Sequence, residues 1–301
     1  MKTNNSANTY SNDGLFYEIL VRIFTTLSVV DLAVASMVCK SWNLASRAPQ
    51  LWSKLDISTL NSRGLNVPLR PYAWRDDHSS QKMTQFLKYA SSLSGGNISC
   101  IIFNCYVYLR DVHLISIAER TPNLKRLVFP VSGDISKNGI ETAMRSWRGL
   151  ESITITSVVH HINFFDAVRK YCMDIISLKI TCRFEQYEAR ALVNYTPNLK
   201  VLSIRNMTVN MGGLCHVLNN LEHLEVVNLS HSLIVDKLDD ELQQYSVDDV
   251  QSRVNNSCKL ITCQIRTCLW CKTPFARNPR RMPHGTLEDI WRDDEIRSLS
   301  H

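Results

Sequence analysis

Residues 121–129 read TPNLKRLVF, and residues 196–204 read TPNLKVLSI. Counted from the leucine of each stretch, apolar residues occupy the first, fourth and sixth positions of a shared template. Six stretches between residues 98 and 229 fit this template, and their first members are spaced 26, 26, 25, 24 and 25 residues apart. Those first members are Ile98, Leu124, Leu150, Ile175, Leu199 and Leu224. Because single matches are common but six in near-constant register are not, the chain contains an internal repeat.

Each repeat predicts one short strand followed by one helix. The fourth and sixth template positions alternate, so they point to the same side of a strand. In the helical stretch 185–195, Ala189, Leu192 and Val193 recur at helical spacing. One such unit cannot bury its own apolar face, whereas stacked units share a continuous core. The period is that of leucine-rich repeats, about 20–29 residues, so we predict an open α/β arc with short parallel strands inside and helices outside.

An ordinary doubly wound α/β domain is the alternative to a repeat arc. It would not require so constant a period. It would usually carry a glycine-rich phosphate loop, and neither G-x-G-x-x-G nor G-x-x-x-x-G-K-[ST] occurs in the chain. The repeat arc is therefore the preferred fold.

The concave face of such an arc is formed by the third, fifth and seventh template positions. These positions are rich in hydroxyls and carry positive charges at Arg126, Lys179 and Arg205. They would suit a mildly acidic or hydrogen-bonding protein surface, or they are simply small, soluble strand residues. The candidate target-binding residues are Arg126, Val128, Ser152, Thr154, Lys179, Ser203, Arg205 and Asn228.

Residues 13–57 form a different unit, composed of short helices with large apolar side chains. A stripe from Leu15 to Leu27 recurs at helical spacing. Ser28 followed by Asp31 predicts the start of a second helix, since the hydroxyl can cap it and the acid lies at its positive end. A unit of about 45 residues buries little surface by itself, so we expect a partner to cover part of it.

This segment resembles the F-box. The resemblance is carried by Leu15–Leu20, Asp31-Leu32, Val38-Cys39-Lys40-Ser41-Trp42 and Leu51-Trp52. Their order and spacing agree with the family outline Leu-Pro-x-Glu-Ile-Leu, Asp-Leu, Val-Cys-Lys-x-Trp and Leu-Trp. Phe16 stands where the family usually has proline, which pre-sets the first helical turn. Together with the repeats, the chain resembles the plant F-box/leucine-rich-repeat proteins.

The resemblance implies a non-catalytic substrate receptor of an SCF-type ubiquitin ligase, with no cofactor. In that family the F-box binds a Skp adaptor, which joins a cullin, and the repeats recruit a target for ubiquitination. The adaptor-binding residues that it implies here are Leu15, Ile19, Leu20, Ile23, Phe24, Leu32, Val38, Trp42, Leu51 and Trp52. The rival interpretation is a repeat scaffold unrelated to ubiquitin.

The predicted organisation is a disordered N-terminus (1–12), the F-box (13–57), a connector and helix (58–97), six repeats (98–235) and a C-terminal cap and tail (236–301). Val250, Val254, Cys258, Ile261 and Ile265 recur at helical spacing and predict a capping helix. Four cysteines in the same region leave a zinc-dependent nucleic-acid module as a second rival; they are Cys258, Cys263, Cys268 and Cys271, with His284 as an extra ligand.

Composition favours an intracellular protein, cytoplasmic or nuclear. The first fifteen residues are polar and lack a secretory signal. Single cysteines inside apolar runs, such as Cys172, indicate reduced buried thiols. The net charge of +6 is dispersed, which argues against nucleic-acid binding, and no apolar run is long enough for a membrane span.

Overall fold

A computed structural model describes residues 9–57, 76–103, 107–130, 132–155, 161–180, 182–205, 207–238, 241–254 and 258–263. Several predicted features therefore lie outside the described residues. They are residues 1–8 of the predicted disordered N-terminus, most of the connector, and Cys268, Cys271 and His284 of the suggested zinc site.

Three helices form the N-terminal unit: α1 (Thr9–Phe24), α2 (Val29–Ala35) and α3 (Lys40–Ser46), followed by a 3-10 turn at Pro49–Leu51. Both α1 and α2 pack against α3. The predicted cap of the second helix is confirmed, since Ser28 Oγ accepts from the backbone N–H of Asp31 at 3.1 Å. Because α1 already begins at Thr9, the boundary of the disordered segment predicted at residue 12 is corrected.

The centre of the fold is a parallel sheet of eight strands, in the order β1-β2-β4-β6-β7-β8-β10-β13. Its six middle strands carry the six repeats, so the predicted stack is confirmed. Residue-to-residue register is maintained throughout; for example, Leu127 pairs with Ile153, and Leu178 with Leu202. The strands are β1 (Lys54–Asp56), β2 (Cys100–Ile102), β4 (Arg126–Val128), β6 (Ser152–Ile155), β7 (Ser177–Ile180), β8 (Val201–Ser203), β10 (Val226–Asn228) and β13 (Lys259–Ile261).

Helices cover one side of this sheet, and neighbouring helices pack on each other from repeat to repeat. The template leucines and isoleucines point between sheet and helices, where they are almost fully buried. One continuous apolar cluster runs from Leu20 of α1 to Val250. The helices are α4 (Asp77–Ser94), α5 (Asp111–Ala118), α6 (Lys137–Ser146), α7 (His161–Tyr171), α8 (Gln186–Tyr195) and α9 (Met211–Asn220).

The stack is longer at both ends than the six repeats predicted. Before them, β1 pairs with β2 and α4 packs on α5, so the first strand comes from the end of the F-box segment. After them, β13 pairs with β10, so the predicted capping helix is wrong at Lys259–Ile261, and Ile265 lies outside the described residues. An open strand edge presents unpaired N–H and C=O groups; β13 satisfies those of β10, with Leu229 N donating to Ile261 O at 2.8 Å.

Smaller sheets lie beside the helix N-termini. One consists of β3 (Tyr108–Arg110) and β5 (Ser132–Asp134), and the other has the order β12-β11-β9. The latter is formed by β9 (Thr208–Asn210), β11 (Leu233–Leu238) and β12 (Glu241–Tyr245), followed by α10 (Val247–Gln251). The strands β11 and β12 therefore form an antiparallel pair after the last repeat.

Successive repeats are joined at their helix N-termini by polar side chains. The carboxylate of Asp111, at the start of α5, accepts from the backbone N–H and the hydroxyl of Ser136, which caps α6. Gly139 of α6 lies against the same carboxylate, and a Cβ there would overlap Asp111 Oδ1. The absence of a side chain at Gly139 therefore lets one repeat hold the cap of the next.

We expect Gly139→Ala to destabilise the fold by about 1–2 kcal/mol, because the carboxylate must leave Ser136. In an Asp111→Ala background the same change should instead stabilise by about 0.5 kcal/mol, since only the backbone entropy of glycine is then removed. Urea unfolding of the four chains measures this reversal. Gly149→Ala, which meets only the flexible end of Lys125, is the control. Equal destabilisation by Gly139→Ala in both backgrounds would contradict the interpretation.

His113 joins the first two helices of the stack from a fully buried position. Its Nδ1 accepts from the backbone N–H of Arg110 at 3.1 Å, so the neutral ring carries its proton on Nε2. Nε2 lies 2.9 Å from Ser80 Oγ and 3.1 Å from Ser80 O of α4. Burial, assisted by the charge of Arg110, lowers the pKa of His113 below its ordinary value of 6.5.

A histidine with a lowered pKa in the folded state stabilises the fold above the unfolded pKa, and that stability is lost as the pH falls below about 6.5. We therefore expect the urea midpoint to decrease between pH 7 and pH 5. His113→Gln should flatten this slope, whereas His223→Gln, at an exposed turn, should not. Parallel slopes for wild type and His113→Gln would refute the assignment.

Candidate protein interaction surfaces

The apolar face of helix α1 is wider than the part of the helix that packs against the core. Successive residues turn by about 100° around a helix, so Phe16, Ile19 and Ile23 share one face. Leu20 and Phe24 lie on the adjoining face, which packs into the interior. The exposed face shows 52%, 47% and 52% of Phe16, Ile19 and Ile23 to solvent. Half of the apolar arc of α1 therefore has no covering element among the described residues.

The helices that follow add further exposed apolar side chains. Together with the exposed face of α1 they form what we call the N-terminal apolar patch, which consists of Phe16, Ile19, Ile23, Val34, Met37, Val38 and Leu44. Seven of the twelve large apolar residues that are exposed in the described part of the chain belong to it. Such a concentration on one small unit is typical of a surface that another protein covers.

The predicted adaptor-binding residues differ in how far their side chains are exposed. Ile19, Ile23 and Val38 lie in the patch, whereas Trp42 and Leu51 are partly buried against the core. Leu15 lies in α1, with its side chain outside the described residues. The assignment of four others as contact residues is corrected, because their side chains are at most 5% exposed. These four are Leu20, Phe24, Leu32 and Trp52.

Three of these side chains, Phe24, Trp42 and Trp52, hold the three helices together. The rings of Phe24 and Trp42 meet edge to face, with their centroids 5.4 Å apart. Trp52 is fully buried, and its indole N–H donates to the backbone oxygen of Ser46 in α3 at 2.6 Å. These residues therefore support the patch without taking part in it.

The sequence-based assignment missed Phe16, Val34, Met37 and Leu44. For α1 a signal was available, since its apolar residues span more than the roughly 100° stripe of a helix that faces only one core. For Met37 and Leu44 we find no comparable signal, because exposure there depends on how α2 and α3 meet.

The N-terminal unit is attached directly to the repeat stack through α4. The hydroxyls of Ser36 and Tyr89 lie 2.7 Å apart, and Arg47 donates to the backbone oxygen of Ser92 at 3.3 Å. Asn43 orients Arg47 by accepting from its Nε at 3.0 Å. Because both units also share one apolar cluster, a partner bound to the patch would be held at a defined position relative to the repeats.

The concave row predicted to bind a target is mostly shielded from solvent. Parallel register aligns Thr154 with Lys179 and Lys179 with Ser203, so each side chain lies between those of two neighbouring strands. Arg126 is exposed and Arg205 partly so. The remaining assignments as open contact residues are corrected, because their exposure is at most 8%: Val128, Ser152, Thr154, Lys179, Ser203 and Asn228.

Buried thiols lie in the same stack. Burial raises the pKa of Cys100 to about 11 and that of Cys172 to about 12. Cys172 Sγ lies 3.4 Å from the backbone oxygen of Trp147, inside the core. At neutral pH both remain protonated, and so they act as small apolar side chains.

The described residues contain neither a cluster of metal ligands nor a membrane-spanning helix. Within them, no three His, Cys, Asp or Glu side chains come together in a way that could hold a metal ion. The helices seen there also lack the combination of length and apolar character that a bilayer-spanning helix needs.

The sequence of the chain is similar to that of known proteins. The F-box-like family profile matches residues 17–58, which contain most of the N-terminal apolar patch. The F-box/LRR-repeat protein At3g48880 of Arabidopsis thaliana is 34% identical over 289 residues, which cover 94% of both chains. The putative F-box protein At4g11580 of the same plant is 27% identical, also over 94% of each chain.

A third Arabidopsis relative, the F-box protein FBW2, is 26% identical over 72% of this chain and 67% of its own length. The first two matches run through both the helical unit and the stacked repeats, as does the fold. The chain is therefore a member of the plant F-box/LRR-repeat protein family.

Proposed function

We propose that this protein is the substrate receptor of an SCF-type ubiquitin ligase, and that the N-terminal apolar patch is its docking surface for a Skp-type adaptor. The patch is the observation that carries the proposal. All of it except Phe16 lies within the residues that match the F-box-like profile, and it exposes large apolar side chains without a partner element among the described residues. Apolar anchors of this kind dominate the energy of protein interfaces.

Through the adaptor the receptor would join a cullin, and its contribution would be proximity rather than chemistry. A target held near a charged conjugating enzyme experiences a raised effective concentration. The shared core and the bonds from α2 and α3 to α4 support this role, since a rigid link transmits the position of the adaptor to the repeats.

The repeats would hold the target, but not by the whole concave row. Of the candidate contacts, Arg126 and Arg205 are the ones that solvent reaches. We therefore propose that these cations, rather than the buried row between them, take part in target binding, and that an acidic target segment suits them.

Reconstitution tests the proposal. The full chain, mixed with a purified Skp-type adaptor and a cullin, should elute as one complex and should enrich ubiquitinated proteins from a plant extract supplied with the other ligase components. If the folded chain binds no adaptor at micromolar concentration, the receptor function is refuted. The rival role of a scaffold unrelated to ubiquitin would then be favoured.

A further inference from the structure

A row of side chains runs along the edge where the strands of the main sheet begin. Each of its members directly precedes a strand, and we call the row the strand-entry rim. In stack order the rim consists of Ser53, Ser99, Lys125, Glu151, Ile176, Lys200, Glu225 and Cys258.

Backbone hydrogen bonds hold the rim in register. The N–H of Glu151 donates to Lys125 O at 2.8 Å, that of Ile176 to Glu151 O at 3.0 Å, and that of Lys200 to Ile176 O at 2.9 Å. Adjacent members are therefore about one strand spacing apart, and the five from Lys125 to Glu225 extend over about 19 Å. The rim therefore places these side chains in one row at regular spacing.

The charges of the rim come in two ion pairs on either side of an apolar centre. Lys125 Nζ lies 2.8 Å from Glu151 Oε1, and Lys200 Nζ lies 3.0 Å from Glu225 Oε1. All four side chains are between 41% and 61% exposed. Between the pairs Ile176 is 40% exposed and is accompanied by Met173, which is 63% exposed.

This order is complementary to itself under a two-fold rotation. If a second rim runs antiparallel to the first with the axis at Ile176, Lys125 faces Glu225 of the other copy, and Glu151 faces Lys200. Ile176 then faces Ile176, and Ser99 faces Cys258, both uncharged partners. In a two-fold interface every contact away from the axis occurs twice in this reciprocal way, so one favourable order of charges satisfies both halves.

From this symmetry we propose that the strand-entry rim is a homodimerisation surface, whose occupant is a second copy of this chain. The apolar pair Met173 and Ile176 forms its centre, as is usual for interfaces with a polar rim. Each ion pair of one copy then lies opposite an ion pair of the other copy in which Lys and Glu stand in reverse order. This gives two networks of four charges rather than isolated surface pairs. A dimeric receptor would hold two target sites and gain avidity for multivalent targets.

Asp174 opposes the association. It lies beside Met173, and the two copies would approach each other near the axis, where like charges repel. A small interface of this kind belongs to the weak class, so we expect the dimer fraction to rise with concentration between about 1 and 100 μM. Asp174→Asn should strengthen the dimer several-fold.

Charge swapping provides the test. The variant Lys125→Glu/Glu151→Lys keeps its internal ion pair, but it places like charges opposite each other across the axis. The variant Lys200→Glu/Glu225→Lys does the same on the other side. Sedimentation equilibrium of the full chain should show at least tenfold weaker self-association for each variant. Their mixture should form a heterodimer, and the fourfold swap should recover the wild-type association.

Unchanged urea midpoints confirm that the swapped chains are folded. The inference is overturned if the wild type remains monomeric over the whole range, or if either half-swapped variant dimerises as well as the wild type. Substitution of Ile19 and Ile23 in the N-terminal apolar patch should leave self-association unchanged, so failure of this proposal is distinguishable from failure of the adaptor proposal.

Discussion

Replacement of Ile19 and Ile23 together by aspartate is expected to weaken binding of a Skp-type adaptor by at least about thirtyfold, or about 2 kcal/mol. Both side chains are about half exposed on the outer face of α1. Each aspartate would also have to lose its hydration on docking, which adds to the cost. Because neither residue belongs to the core, the urea midpoint of the free chain should change little.

Two further variants make this experiment specific. Val112→Asp places one aspartate on an exposed apolar residue of α5 and should leave adaptor binding intact. Leu20→Ala alters the buried face of α1 and should lower the stability by about 2–5 kcal/mol. Titration calorimetry with purified adaptor, paired with urea unfolding, separates the two faces. If the Ile19/Ile23 double variant binds as tightly as the wild type, the N-terminal apolar patch is not the docking surface.

The second large effect is expected for Trp52→Ala, which should destabilise the chain by about 3–5 kcal/mol. Trp52 is fully buried at the junction between the helical unit and β1. Its removal opens a large cavity and leaves the backbone oxygen of Ser46 without its donor. Since Ser46 ends α3, we also expect weaker adaptor binding, as a consequence of disordered helices rather than of a lost contact.

Trp52→Phe is the matched control, because it removes the indole N–H but keeps most of the ring volume, so that it leaves a much smaller cavity than alanine does. It should cost about 1–2 kcal/mol, close to the value of one buried hydrogen bond. Urea unfolding at pH 7 measures both variants. A Trp52→Ala chain that unfolds at the wild-type urea concentration would show that the junction contributes little to the fold.

The repeat stack could be predicted because its signal is local and recurs. A strand of the stack needs apolar residues at two alternating positions. Leu127 and Leu202 occupy the first of these, the fourth template position, in repeats that lie 75 residues apart. The F-box was recognised from the order and spacing of Leu15–Leu20, Asp31-Leu32, Val38–Trp42 and Leu51-Trp52. The cap of α2 followed from Ser28 and Asp31, since a capping hydroxyl acts within a single turn.

The two ends of the stack were not predictable in the same way. The segment from Val250 to Ile265 shows an apolar helical period, yet Lys259–Ile261 forms a strand. Its backbone pairs with the otherwise open edge of β10, and a partner strand of that kind overrides a short local preference. Nothing in the sequence of this segment indicates that an unpaired strand edge lies beside it in the fold.

By itself the sequence determined the number and order of the repeats, the helical unit before them and the family, because each depends on spacing along the chain. The tertiary structure alone decided which side of α1 faces solvent, and that the row from Thr154 to Asn228 is buried rather than open. It also brought Lys125, Glu151, Ile176, Lys200 and Glu225 into one line. Spacing defines the faces of an element, but the neighbours that cover those faces come from distant parts of the chain.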